Sequence, residues 1–158
     1  MEKNIILPSN PFTEDLELQL FSFYKQFSLY GCTYMYYTIT DPNKGRIRFT
    51  TNEDWIRLYL EDNLVSHDPI KIICEQKRNA ILSWKNIPIS SRSQKKTMEG
   101  RNSFGLHDGM NIIHFDEKNG LHKILALCTD CKSHNFSQEI LENNPLFKEN
   151  IMKIFSLI

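Results

Sequence analysis

Two pairs of strand-forming segments, each closed by a tight turn, constrain the fold of this chain more than any other feature. Cys32 to Thr40 (Cys-Thr-Tyr-Met-Tyr-Tyr-Thr-Ile-Thr) is rich in β-branched and aromatic residues. Asp41-Pro42-Asn43-Lys44-Gly45 is turn chemistry, and Arg46 to Thr51 alternates as a return strand. Met110 to Phe115 and His122 to Thr129 repeat the arrangement around the loop Asp116-Glu117-Lys118-Asn119-Gly120. Ala80 to Trp84 adds a short strand. Hairpin connections join antiparallel neighbours, so the sheet is predicted to be antiparallel.

Helical segments precede, separate and follow these strands. Thr13 caps a helix with Glu14 and Asp15 in its first turn, where acids suit the helix dipole. Leu16, Leu20, Phe23, Tyr24 and Phe27 keep helical spacing, and Gly31 ends it. Asn52 caps a second helix carrying Trp55, Leu58 and Tyr59. Asp68-Pro69 is an N-cap followed by proline at the first helical position. Ser90 to Asn102 is polar and predicted helical. Ser137 to Ile158 is predicted as a terminal helix, with Ile151, Ile154, Phe155 and Ile158 on one stripe. Phe147, Met152 and Leu157 fall partly outside that stripe, which predicts association with a partner. The element order implies an α+β domain, an α/β/α sandwich with a central antiparallel sheet flanked by helices. With no repeats and no low-complexity linker, residues 1–158 are read as a single domain.

Composition narrows the function. Lys and Arg number 19, as do Asp and Glu, so the formal charge is zero. A domain that held DNA by itself would show a basic excess, so no direct nucleic-acid binding is expected. No apolar run is long enough to cross a bilayer, and Met1-Glu2-Lys3-Asn4 with Ile5-Ile6-Leu7 is a poor signal peptide. The four cysteines are few and unevenly spread, which suits reduced thiols and a cytoplasmic protein.

The informative constellation is Trp55-x3-Tyr59-x8-Asp68-Pro69, followed by Trp84. Trp55 and Tyr59 share one face of a helix. Each has an apolar body and one polar handle, and Asp68 adds a carboxylate. Such groups can line a mostly apolar small-molecule pocket. Trp and Tyr at this spacing also serve as ordinary core, and Asp before Pro as a simple cap, so spacing alone leaves both readings open. Cys128-x2-Cys131-x2-His134 resembles half a zinc site, but no second pair follows, and no metal or cofactor is predicted. His107, His114 and His122 near Asp108, Asp116 and Ser103 could suggest a hydrolytic triad. No Gly-x-Ser-x-Gly elbow accompanies them, so no catalytic residues are predicted. Arg92, Lys95 and Lys96 read as a solvated helix face.

Asn52-Glu53-Asp54-Trp55-Ile56-Arg57-Leu58-Tyr59-Leu60-Glu61-Asp62-Asn63, then Asp68-Pro69-Ile70, resembles the N-terminal autoinducer-binding domain of LuxR-type quorum-sensing regulators. The resemblance continues through Ile81-Leu82-Ser83-Trp84 and Asn102-Ser103-Phe104-Gly105-Leu106-His107-Asp108-Gly109 into Ile124-Leu125-Ala126-Leu127. It implies an α/β/α sandwich around an N-acyl-homoserine lactone. It also implies roles: Trp55 donates to the lactone carbonyl, Asp68 accepts from the amide N–H, and Tyr59 and Trp84 wall the ring and acyl ends. An indole only donates and a carboxylate only accepts, which suits one carbonyl and one amide.

The chain departs from the family at three positions. Thr51 stands where the family often has a tyrosine bonding the acyl carbonyl. Ala126 stands where a serine or threonine often adds a polar contact, and Ile113 where a proline is usual. LuxR-type regulators add a helix-turn-helix domain, whereas this sequence stops at Ile158 without a basic recognition helix. It is therefore read as a stand-alone sensing domain or as part of a larger regulator. The expected ligand is an acyl-homoserine lactone or a similar amphiphile, held by Trp55, Tyr59, Asp68, Trp84, Thr51 and Ala126. The expected partner is a second copy or a LuxR-type regulator. The alternatives are a ligand-free relative that titrates a full-length regulator by heterodimerisation, and a small hydrolase or lactonase.

Overall fold

The computed structural model describes residues 13–43, 45–131, 136–143 and 146–157. Its elements run α1 (Glu14–Ser28), β1 (Tyr34–Asp41), β2 (Gly45–Thr50), α2 (Glu53–Glu61), α3 (Pro69–Glu75), β3 (Ala80–Ser83), α4 (Arg92–Ser103), β4 (Asp108–Asp116), β5 (Leu121–Thr129), α5 (Phe136–Asn143) and α6 (Phe147–Phe155). Short 3-10 turns at Leu64–His67 and Trp84–Asn86 lead into α3 and away from β3. The predicted caps form. The Thr13 side chain accepts from Leu16 N–H, that of Asn52 from Trp55 N–H, and that of Asp68 from Ile70 N–H.

The five strands are antiparallel in the order β2-β1-β5-β4-β3. This is the α+β sandwich predicted from the hairpins. Period-two alternation divides β1 between two cores. Met35, Tyr37 and Ile39 join Leu125 and Leu127 of β5 under α1, α5 and α6. Tyr34, Ile124 and Cys128 face the other way, towards α2, α3 and α4. Central β5 is buried almost throughout, as a strand covered on both faces must be.

The tail differs from the single helix predicted over 137–158. It forms α5 and α6, with Pro145 between them in sequence. A proline cannot donate to the helical ladder and disfavours helical backbone before it. Phe147 is also more deeply placed than its spacing implied. It is buried and meets Phe27 of α1 edge-on, with ring centroids 6.5 Å apart. Met152 is exposed, and Ile158 lies outside the described residues. Buried Lys123 of β5 donates to the Phe155 carbonyl oxygen at 2.6 Å, which ties the end of α6 to the sheet.

Gly109 of β4 explains how Trp84 seats against the sheet. A Cβ there would lie 2.8 Å from the Leu127 carbonyl oxygen and 3.0 Å from Trp84 Cε2. The carbonyl belongs to a paired strand and cannot retreat. Gly109→Ala is therefore expected to destabilise the domain by about 1–3 kcal/mol through overpacking. Chemical unfolding monitored by tryptophan fluorescence measures it, and an unchanged midpoint would refute the close approach.

Candidate functional site

The site lies between the second face of the sheet and α2, α3 and α4. Register places Thr50, Tyr36, Ala126, Asn111 and Leu82 in one row across the five strands. Tyr36, Ala126 and Asn111 of that row floor a cavity, with Tyr34, Thr38 and Ile124 beside them. Trp55 and Tyr59 descend from α2, Asp68, Ile70 and Cys74 from α3, Trp84 from the turn after β3, and Arg101 from α4. Arg46 and Lys71 line it where it nears solvent, and both pair with Glu75, at 3.1 and 3.0 Å.

Five of the six sequence-predicted residues, Trp55, Tyr59, Asp68, Trp84 and Ala126, meet at this cavity. Thr51 does not. Its hydroxyl accepts from Met35 N–H at 2.9 Å and bonds the Met35 carbonyl oxygen. The reason is parity: Arg46, Arg48 and Thr50 of β2 share the cavity face, and the next residue turns to the other side.

The aromatic side chains form a box. Trp55 and Tyr59 have ring centroids 5.3 Å apart, and Phe104 backs Trp55 at 5.7 Å. Trp84 Nε1 donates to Asn111 Oδ1 at 2.7 Å. The indole N–H of Trp55, a residue only 2% exposed, has no acceptor among the described residues.

Asp68, also 2% exposed, is fully engaged. Oδ1 accepts from Ile70 N–H at 3.0 Å and from Arg101 Nη1 at 2.7 Å. Oδ2 accepts from the Tyr59 hydroxyl at 2.7 Å and from Arg101 Nη2. A carboxylate offers about four acceptor positions, and these four donors take them. Burial alone would raise the Asp68 carboxyl, but the Arg101 charge and the donated hydrogen bonds outweigh it and hold it below its ordinary range. Burial, with Asp68 alongside, pushes the Tyr59 hydroxyl well up, so it stays a donor. Burial works against the Arg101 guanidinium, yet Asp68 more than compensates and keeps it protonated.

Arg101 is the cavity-lining residue that sequence reasoning missed. It is 8% exposed. Its guanidinium carbon lies 5.5 Å from the Trp55 ring, 5.6 Å from Tyr59 and 5.3 Å from Trp84. All three distances are within cation–π range. Gly100 admits it: a Cβ there would stand 3.3 Å from Leu64 Cδ1 and from Trp55 Cζ3, so glycine lets α4 approach closely. Thr97, Gly100 and Arg101 have the i, i+3, i+4 spacing of one helix face, and that is the signal the sequence carried. With the guanidinium in place the free space is about 40 Å³.

The other weighed groups are dispersed. His107 Nδ1 meets Asn102 Oδ1, His114 stacks on Phe155, and His122 Nε2 meets the Lys77 carbonyl oxygen. Cys128 is buried, Cys131 is half-buried, and His134 lies outside the described residues.

Comparison with known proteins agrees with this architecture. Residues 19–147 match the model of the autoinducer binding domain, so the chain belongs to that family. No curated protein matches it in sequence. Among solved structures it resembles an N-acylhomoserine lactone-dependent LuxR-family transcription factor, CepR2, from Burkholderia cenocepacia. The TM-score is 0.63 at 14% identity, covering 90% of this chain and 91% of that one. It resembles SdiA from Escherichia coli at TM-score 0.68 and 17% identity, covering 92% of this chain and 63% of that one. It also resembles SdiA in complex with octanoyl-rac-glycerol, at TM-score 0.64 and 17% identity, covering 91% of this chain and 59% of that one. The chain thus spans about three fifths of these two SdiA chains, and likeness at this identity shows the fold.

The ion pair makes a sign-definite prediction. Arg101→Met strands a buried carboxylate, which should cost about 3–5 kcal/mol at pH 7. In the native protein, the depressed carboxyl contributes stability above its unfolded pKa and loses it as pH falls through the folded value. In the variant, burial without a counter-ion raises that pKa, so the carboxyl takes up a proton as the solution is acidified. The gap between the two proteins should therefore narrow from pH 7 to pH 4. Chemical denaturation at both values tests this, and a gap independent of pH would contradict it.

Proposed function

We propose that this member of the autoinducer-binding family is a non-enzymatic signal-sensing domain. It binds an N-acyl-homoserine lactone or a similarly small amphiphilic ligand in the cavity between the sheet and α2–α4. It acts through protein association in quorum-sensing transcription control. The observation that carries the reading is the aromatic-walled cavity itself, which the Trp55 indole lines with its N–H bonded to no acceptor among the described residues. A ligand carbonyl entering the cavity would accept from it. CepR2 and SdiA, with the same fold, are described with an acylhomoserine lactone and an octanoyl glycerol respectively.

Trp55→Phe keeps most of the apolar body and deletes the N–H. Loss of one hydrogen bond at about 0.5–1.5 kcal/mol, plus an unpaired ligand carbonyl, should weaken lactone binding roughly threefold to thirtyfold. A ligand lacking the ring carbonyl should lose much less. Titration calorimetry of both ligands decides it: equal losses would mean that Trp55 only packs.

Association is the second half of the proposal. On α1, Leu18, Phe21 and Leu29 are exposed, and Met152 of α6 is exposed as well. This apolar surface favours a second copy or a LuxR-type regulator. Sedimentation at micromolar concentration should show a dimer that Leu18→Glu with Phe21→Glu dissociates. A species that stays monomeric with ligand and with a co-expressed regulator would remove the association model.

Two observations favour the ligand-free reading, in which the domain titrates a full-length regulator. Asp68 is saturated and the free space is small. Native mass spectrometry of protein expressed with and without lactones separates the two readings.

A further inference from the structure

We infer that Arg101 is the resident occupant of the sensing cavity: its guanidinium fills the aromatic box, closes both oxygens of Asp68, and must be displaced before a ligand amide reaches that carboxylate. The inference rests on the proposal that this cavity is the ligand site, and it assigns the residue that controls entry and head-group choice.

Three independent features carry it. The first is saturation: Arg101 supplies two of the four donors on Asp68, and Ile70 N–H and the Tyr59 hydroxyl supply the others. A ligand N–H finds no vacant acceptor there. The second is position: the guanidinium lies within 5.6 Å of three aromatic ring centroids, so it sits inside the box rather than at its rim. The third is volume: with the guanidinium seated, only about 40 Å³ of water-accessible space is left beside it, so the guanidinium takes the place a ligand head group would need at Asp68.

The arrangement resembles a bound ligand that happens to be covalently attached. A planar cation is held by a bidentate carboxylate and by stacking, which is how proteins hold free guanidinium groups. Two consequences follow. The domain completes its core without a ligand, because the buried carboxylate is already neutralised. A ligand amide must also compete with this intramolecular occupant for Asp68, so an acyl ligand that enters while Arg101 stays seated does so without that hydrogen bond. Ligands are then sorted by head group. With Arg101 seated, an amide N–H contributes nothing at Asp68, so an amide and its ester isostere bind alike. Once Arg101 is removed, two acceptor positions on Asp68 open and the amide gains.

The test compares the wild type with Arg101→Ala, using an N-acyl-homoserine lactone and the O-acyl ester of the same chain length. The wild type should bind both with similar affinity. Arg101→Ala should bind the amide about tenfold or more tightly than the ester, as a hydrogen bond to a charged acceptor allows. Where Arg101→Ala fails to fold, Arg101→Lys is read in its place. Lysine keeps the charge without the fork, and a gain for the amide supports the inference in the same way. A wild type and variant with the same amide-to-ester ratio would overturn it.

Methylguanidinium supplies an arm that does not depend on the lactone. It should raise the melting temperature of Arg101→Ala and leave that of the wild type unmoved, because only that variant has the vacated cradle. Binding of neither acyl ligand to either protein, with methylguanidinium still stabilising the variant, would refute the lactone reading and keep the occupant. No stabilisation by methylguanidinium would refute the occupant itself.

Discussion

A carboxylate that is 2% exposed can remain ionised only if its surroundings replace water, and Asp68 meets that condition with four donors. Each donor fixes a different element. The Ile70 N–H starts α3, the Tyr59 hydroxyl ties α2, and the Arg101 fork draws in the end of α4. Three helices are therefore placed by one side chain. The rest of that layer follows from it: Trp55 and Trp84 close around the guanidinium, and Gly100 allows the approach.

The sheet provides the other half of the cavity. Alternation on β1, β4 and β5 sends Tyr36, Asn111 and Ala126 to one face and Tyr37, Ile112 and Leu127 to the other. The second group packs beneath α1, α5 and α6 and gives the floor its rigidity. Gly109 lowers the wall at one point so that Trp84 can lie against β4 and β5. The polar groups of the floor are likewise committed, since Asn111 accepts from Trp84 and Tyr36 from Arg48. What stays open is the Trp55 N–H, which has no acceptor among the described residues and lines the cavity.

Much of this was legible locally. The side-chain caps at Thr13, Asn52 and Asp68, and the two hairpin turns, act within a few residues, so the starts of three helices and the strand pairings could be read from the sequence. Trp55, Tyr59, Asp68 and Trp84 were legible because each residue type suits a pocket and the spacing matched a known family. Thr51 was misplaced because strand parity depends on where pairing begins, and that is a property of the whole hairpin. The tail was read as one helix because apolar periodicity continued across Pro145, which outweighed it only once tertiary packing was known. Arg101 was the deepest omission. Its partner stands 33 positions away in sequence, and an arginine on a polar helix resembles a solvated one until its neighbours are placed.

An ionised Asp68 and a seated Arg101 stand at the centre of the domain. Following the Asp68 carboxyl carbon by NMR across an acid titration tests this most directly. The resonance should keep its ionised position as the pH passes the carboxyl's ordinary value of 3.8 and move only below it. A carboxyl that titrates at or above that value would show that Arg101 does not hold Asp68, and would overturn the central role given to the pair.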